Sequence, residues 1–162
     1  VRGRMELAAT KKNGATVYVD YAHTPDAIEV ALKSLKPHIL GKLIVVIGAG
    51  GERDEGKRPL MGTAAEQNSD FVIITDDNPR NEDPSVIHQM IKNGIQNDNK
   101  VKVIADRAEA ILTAVDLLEV GDGLLIAGKG HETEQVIGEN NFPFDDFEQA
   151  SLSVASLDGI EK

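Results

Sequence analysis

The chain has 162 residues, a formal net charge of −10, 41% hydrophobic residues and no cysteine. That length bounds it to one domain with a real core, and the apolar content excludes a disordered chain. The negative balance argues against a general nucleic-acid binder, which needs a basic surface; the missing cysteines exclude a disulfide framework, thiol catalysis and a thiolate metal site, and fit a cytosolic protein.

No apolar run approaches the roughly 20 residues of a membrane span, and no signal-peptide pattern opens the chain. Val1 is not an initiator Met. "VRGRMELAAT" reads as the end of a linker running into a strand, so the chain is expected to be a piece of something longer.

Short β-branched runs then alternate with helical patterns. "TVYVD" (Thr16–Asp20) reads as a strand. "TPDAIEVALKSL" reads as a helix with Thr24 as N-cap and Pro25 at its first position. Ile28, Ala31, Leu32 and Leu35 fall at helical spacing there. "KLIVVIGAGG" is a near-continuous apolar run that stops at glycines, the pattern of a strand buried on both faces. "RPLMGTAAEQN" follows, with Pro59 placed to start a helix. "DFVIITD" is another buried strand, and Asp83-Pro84 opens the helix "SVIHQMIKNGI". Val86, Ile87, Met90, Ile91 and Ile95 make its apolar face. "KVKVIA" is a strand. "DRAEAILTAVDLLEV" carries a capping box, Asp106 with Glu109, and a face of Ile111, Leu112, Val115 and Leu118. "GLLIAGKG" is a last buried strand. "ETEQVIGENNFPFDD" reads as one more strand, antiparallel in direction, with a turn, and a helix from about Asp145 closes the chain.

This alternation predicts a single α/β domain, a Rossmann-like and mostly parallel sheet of about six strands with helices on both faces. Right-handed crossovers place the strand C-termini along one edge, where ligands bind. "YAHTPD", "GAGGERDEGKR", "TDDNPR" and "GKGHE" each follow a predicted strand, so four polar loops share one rim.

Each loop has a functional and a plain reading. Gly48, Gly50 and Gly51 begin a G-x-G-x-x-G, but Arg53 takes the third glycine's place, which weakens a dinucleotide fingerprint. Gly51 to Lys57 nearly spells a P-loop, with Arg58 where the Mg²⁺-binding hydroxyl belongs. A glycine turn with a solvated, charged loop explains the stretch as well. Arg53 remains close to the rim and suited to bidentate carboxylate binding. Asp20 ends a strand, where an acid accepts hydrogen bonds from ribose hydroxyls. His23 precedes a helix N-terminus, a natural anion site; simple capping and packing is the alternative for His23 and Tyr21. Pro79 stiffens "TDDNPR" and pushes Asn78 toward extended backbone, which holds Asn78 and Arg80 in place for a ligand. A polar turn between strand and helix is the alternative there. Gly128 and Gly130 permit close backbone approach, and Lys129, His131 and Glu132 crowd the same rim. His131 and Glu132 are adjacent on a loop, not the i, i+4 pair of a zinc protease, so no metal site is expected. Arg53 and Arg80 thus offer positive charge, and Asp77, Asn78 and Glu132 offer acceptors. A rigid site of both signs suits a zwitterion such as an amino acid.

The ordered set of loops resembles the C-terminal domain of the Mur ligases. "VDYAHTPDA", "GGERDEGKRPLMG", "TDDNPR" and "AGKGHE" look like that family's motifs, and "GRME" (Gly3 to Glu6) looks like the entry from its central domain. The likeness spans essentially the whole chain and is to the branch that adds the third residue of the peptidoglycan stem peptide. In that branch "DNPR" is the recognition motif for meso-2,6-diaminopimelate. The resemblance therefore implies that Asp77, Asn78, Pro79 and Arg80, with Arg53, Gly128 and Glu132, bind this amino acid. It also implies that Arg4, Asp20, Tyr21 and His23 lie near ATP. The family reaction is ATP-dependent amide formation, in which ATP phosphorylates a D-glutamate γ-carboxylate and the incoming amine attacks the acyl phosphate.

In that family the P-loop, the Mg²⁺ ligands and a carbamylated lysine lie in a central domain, and the site for UDP-MurNAc-dipeptide in an N-terminal one. Residues 1–162 hold neither, so they are expected to form the amino-acid-binding domain, with no catalytic residue and no ligation on their own. ATP and Mg²⁺ are expected to be held mainly by the central domain. The resemblance implies a cytoplasmic bacterial enzyme with no nucleic-acid, membrane or obligate protein partner. Two other readings stand beside it, a ligase domain of the folylpolyglutamate synthetase type and a non-enzymatic nucleotide-binding module. "DNPR" with "GKGHE" argues against the first.

Overall fold

The long apolar runs become the central strands of one sheet, because only there are both faces covered. A computed structural model describes residues 3–160. In chain order its elements are β1 (Glu6–Thr10), β2 (Thr16–Asp20), α1 (Pro25–Leu35), β3 (Leu43–Ile47), α2 (Lys57–Gln67), β4 (Phe71–Ile74), α3 (Pro84–Lys92), β5 (Val101–Val103), α4 (Arg107–Leu117), β6 (Gly123–Ala127), β7 (Glu134–Ile137), β8 (Asn140–Pro143) and α5 (Asp146–Ile160).

Six strands form the main sheet in the order β1-β2-β6-β3-β4-β5. β1 runs antiparallel to β2, and the other neighbours are parallel. Successive side chains of a strand face opposite ways, so β3 serves two cores at once. Val45 and Ile47 pack with Ile28, Leu32, Met61 and Ile91 of α1, α2 and α3. Ile44 and Val46 pack with Ile111, Val115 and Val154 of α4 and α5. Each fully buried aliphatic side chain is worth about 1.5–3 kcal/mol.

Capping behaves largely as the residues dictate. Thr24 Oγ1 accepts from Ala27 N at 3.2 Å, Asp83 Oδ1 from Ser85 N at 2.9 Å, and Asp106 Oδ2 from Glu109 N at 2.9 Å. Three details differ from the sequence expectation. α2 begins at Lys57 with Gly56 as its cap, so Pro59 is its third residue, not its first. Val86 and Leu112 are not core: both are substantially exposed, since the sheet-facing stripe of each helix is filled by its neighbours. The final strand region is two strands, β7 and β8, which form a hairpin apart from the main sheet.

A fully buried ion pair ties the helices to the sheet edge. Arg107 of α4 meets Asp146 of α5 through Nε–Oδ1 at 2.8 Å and Nη2–Oδ2 at 2.7 Å. Its guanidinium also donates to the carbonyls of Asp76 and Ala127, just past β4 and at the end of β6. Burial acts to lower the Arg107 pKa, but the Asp146 charge and hydrogen bonds, joined by the charges of Asp77 and Glu132, together outweigh it and the group moves up. Among the described residues no helix is long and apolar enough to cross a membrane.

Candidate functional site

The parallel strands end together, and the loops after β2, β3, β4 and β6 enclose a cavity of about 350 Å³. Arg53, Asp77, Asn78, Arg80, Gly128 and Glu132 line it, joined by Tyr21 and His23. Residues up to 111 positions apart in the chain, Tyr21 to Glu132, thus meet at one rim. Pro79 is the exception: it is absent from the lining. It packs instead against Gly51, where any added Cβ would overlap its carbonyl oxygen. Pro79 is therefore a spacer between loops. Arg4 and Asp20 line a neighbouring depression that shares Tyr21 and His23 with the main cavity.

The "TDDNPR" loop is held from three sides. Thr75 N donates to Ile47 O, and Asp76 N to Ala105 O. Gln135 Nε2 donates to Asp77 O at 2.8 Å. Arg80 N donates to Val136 O, and Gly138 N to Arg80 O, so β7 grips the loop by its backbone. Arg80 adopts φ +54°, a left-handed conformation that costs a non-glycine residue roughly 1–2 kcal/mol. Its Nη1 donates to Gly51 O at 2.9 Å, which fixes the guanidinium at the cavity wall.

Asn78 corrects a sequence expectation. Its Oδ1 accepts from Lys129 Nζ and from Val136 N, each at 2.9 Å. Two donors on one atom identify it as the oxygen. The side-chain oxygen expected to accept from a ligand is thus already engaged by two donors of the protein, and the NH₂ end of the amide points away from them. Asp77 and Glu132 remain acceptors, with Lys129 Nζ at 3.7 and 3.5 Å. Gly128, at φ +114°, is required twice: no side chain suits that conformation, and a Cβ would sit 2.7 Å from Asp77 Oδ2.

Three partnerships were invisible in the sequence. Arg58, seen only as the residue spoiling a P-loop, is 1% exposed and makes a two-pronged pair with Glu82, Nη1–Oε2 2.8 Å and Nη2–Oε1 2.9 Å. Arg58 Nη2 also donates to Gly50 O, and Glu52 N to Glu82 Oε1, so the pair staples the loop after β3 to the loop after β4. The Arg58 hydrogen bonds, helped by the Glu52 amide, hold the Glu82 carboxyl down to about 2. Lys129 has no exposed side-chain surface. His88 Nε2 of α3 lies 2.6 Å from Asp76 Oδ1. Nothing in spacing or periodicity announces such long-range pairs.

The depression beside the cavity is lined by side chains with hydrogen-bonding capacity to spare. His23 Nδ1 donates to Tyr21 O at 3.0 Å, which leaves Nε2 available. Asp20 Oδ1 accepts from Met5 N and Oδ2 from Ala22 N, so each oxygen keeps spare capacity for a hydroxyl. Among the described residues no group of three or more carboxylates or imidazoles is placed to hold a metal ion.

A mostly parallel α/β sheet with a two-signed cavity over its strand ends has the architecture in which such folds bind small ligands. The sequence profile described as Mur ligase, glutamate ligase domain, matches residues 3–130, and the chain belongs to that family. It is 50% identical over 157 residues to the UDP-N-acetylmuramoyl-L-alanyl-D-glutamate--2,6-diaminopimelate ligase of Agrobacterium fabrum, covering 97% of this chain and 32% of that one. A solved structure of a ligase of that name superposes with a TM-score of 0.90 at 42% identity, over 97% of this chain and 32% of the other. A folylpolyglutamate synthase from Thermotoga maritima shares the fold at a TM-score of 0.57 and 28% identity, over 79% of this chain and 28% of its own. The chain thus spans about a third of the length of the curated relatives it matches.

Proposed function

We propose that this chain is the amino-acid-binding domain of an ATP-dependent amide ligase that adds meso-diaminopimelate to UDP-MurNAc-L-Ala-D-Glu in bacterial peptidoglycan synthesis. The observation that carries the reading is the meeting of Arg53, Asn78 and Arg80 with Asp77 and Glu132 around one cavity. Diaminopimelate carries a carboxylate and an ammonium at each end, and the cavity offers donors and acceptors for both. Arg80 and the Asn78 amide favour the distal carboxylate, and Glu132 and Asp77 the ammonium beside it. Arg53, exposed and anchored to Glu52 O at 3.2 Å, favours the carboxylate of the reacting end. Lysine lacks the distal carboxylate and leaves those donors unpaired, at a cost of about 1–3 kcal/mol.

ATP, when bound, supplies the phosphoryl group that activates the acceptor acid; Arg4, Asp20, Tyr21 and His23, which line one depression, are the residues we assign to one side of it. This chain's own work is positioning. It presents an amine to a partner domain that carries the acid, which turns an encounter of separate molecules into a reaction within one complex. The two domains named in that sequence resemblance, UDP-sugar-binding and ATPase, complete the enzyme in this reading, and a cytoplasmic setting follows from its soluble substrates.

The test compares ligation by the full-length enzyme with diaminopimelate, lysine and glutamate. Preference for diaminopimelate, lost on Arg80→Ala, supports the reading. Equal use of lysine refutes the role given to Arg80, and use of glutamate turns the assignment to the folylpolyglutamate type.

A further inference from the structure

Lys129 does not line the cavity, yet three side chains that do are its partners. Its ammonium donates to Asn78 Oδ1 at 2.9 Å and lies 3.5 Å from Glu132 Oε1 and 3.7 Å from Asp77 Oδ1. The side chain is fully buried, so this charge answers to those neighbours and not to solvent.

The consequence for Asn78 is directional. An amide has one accepting end and one donating end, and which end meets a ligand depends on what holds the other. Lys129 Nζ and Val136 N both hold the oxygen. Turning the amide over would face its NH₂ toward two donors, one of them a cation. With the oxygen occupied, the end of Asn78 left for a ligand in the cavity it lines is the donating one, and with Arg80 on the same lining the combination favours an anion over a cation. Lys129 also offsets Asp77 and Glu132, which otherwise leave two carboxylates drawing any cationic ligand.

We infer that Lys129 is a positioning residue for amino-acid selection. It orients Asn78 as a donor and tempers the two carboxylates, so that the site accepts a ligand with a distal carboxylate and disfavours one ending only in an ammonium. The inference rests on the proposed ligase reading and deepens it.

Replacing Lys129 by methionine keeps the buried volume and removes both the charge and the bond to Asn78. Val136 N alone then holds the amide, which is freer to offer its oxygen to an ammonium. Replacement by glutamine removes the charge but leaves an NH₂ able to donate to Asn78. The experiment measures kcat/KM for diaminopimelate and for lysine in the full-length ligase and in its Lys129→Met and Lys129→Gln variants. The expected result is a fall of at least tenfold in the diaminopimelate-to-lysine ratio for Lys129→Met, expressed mainly in KM for diaminopimelate. A smaller fall, of at least threefold, is expected for Lys129→Gln, and it decides the matter alone if the methionine variant does not fold. Parallel loss with both amino acids, leaving the ratio unchanged, indicates a merely structural role and overturns the inference. A wild-type enzyme with no preference for diaminopimelate overturns the functional reading, and this inference with it; wild-type preference with unaltered variants overturns this inference alone.

Discussion

Glu82→Gln tests the staple between the two loops that carry Arg53 and Arg80. Glutamine keeps an oxygen for the Glu52 amide but loses the negative charge and one of the two bonds to Arg58. The drop of the Glu82 carboxyl from 4.5 to about 2 corresponds to at most about 3.5 kcal/mol, at about 1.4 kcal/mol per unit. Glu82 is 24% exposed, so solvent screening reduces this to about 2 kcal/mol. The sign follows from the depressed value. The stabilisation is complete above pH 4.5, the ordinary value, and is lost progressively as pH falls toward about 2. Urea unfolding of the wild type and variant, followed by circular dichroism, should therefore show a gap of about 2 kcal/mol at pH 7 that shrinks to less than half near pH 3. A gap below about 0.5 kcal/mol at pH 7, or one of equal size at both pH values, would refute the argument.

The left-handed backbone at Arg80 separates strain from function. Arg80→Gly and Arg80→Ala both lose the bond to Gly51, but only glycine is at ease at φ +54°. The glycine variant should be the more stable by about 0.5–1 kcal/mol in denaturant titrations, while both lose the preference for diaminopimelate; an alanine variant of equal stability contradicts the conformation. Asp146→Asn strands the buried Arg107 charge and should cost about 3 kcal/mol. Calorimetry should register this as a melting point lower by about 10 °C, and an unchanged melting point shows the pair to be dispensable.

How much of this was legible beforehand depends on the range of the interaction. Thr24, Asp83 and Asp106 cap their helices through atoms two or three residues away, so local sequence suffices. The double-sided core was legible from β3 and β6, whose apolar runs have no polar face to give solvent. The rim was legible because parallel topology alone gathers the loops. What stayed hidden was set by partners distant in sequence. Arg58 and Glu82 are 24 positions apart, and Lys129 and Asn78 are 51 apart. Charged residues in polar loops look solvated until the fold buries them. Asn78 was expected to accept because its type allows either role, and only its neighbours fix the direction. Pro79 was expected at the ligand because it sits within the motif, but its carbonyl packs on Gly51. The hairpin was read as one strand since the turn at Gly138 and Glu139 lacks an Asn-Gly or Asp-Gly signature.

That hairpin has an evolutionary corollary. Its hold on Arg80 runs through the main chain, Val136 O and Gly138 N, and β8 turns its side chains to solvent. Main-chain attachments are indifferent to most substitutions. Apart from Gln135, which reaches Asp77 O, and Gly138 at φ +61°, the hairpin is free to drift without disturbing the loop it supports. In the proposed reading, the frame that shapes the pocket is in this way decoupled from the residues assigned to choose its occupant. Changes at positions 78 and 80 could retune selectivity on an inherited scaffold, with no need to rebuild the fold around them.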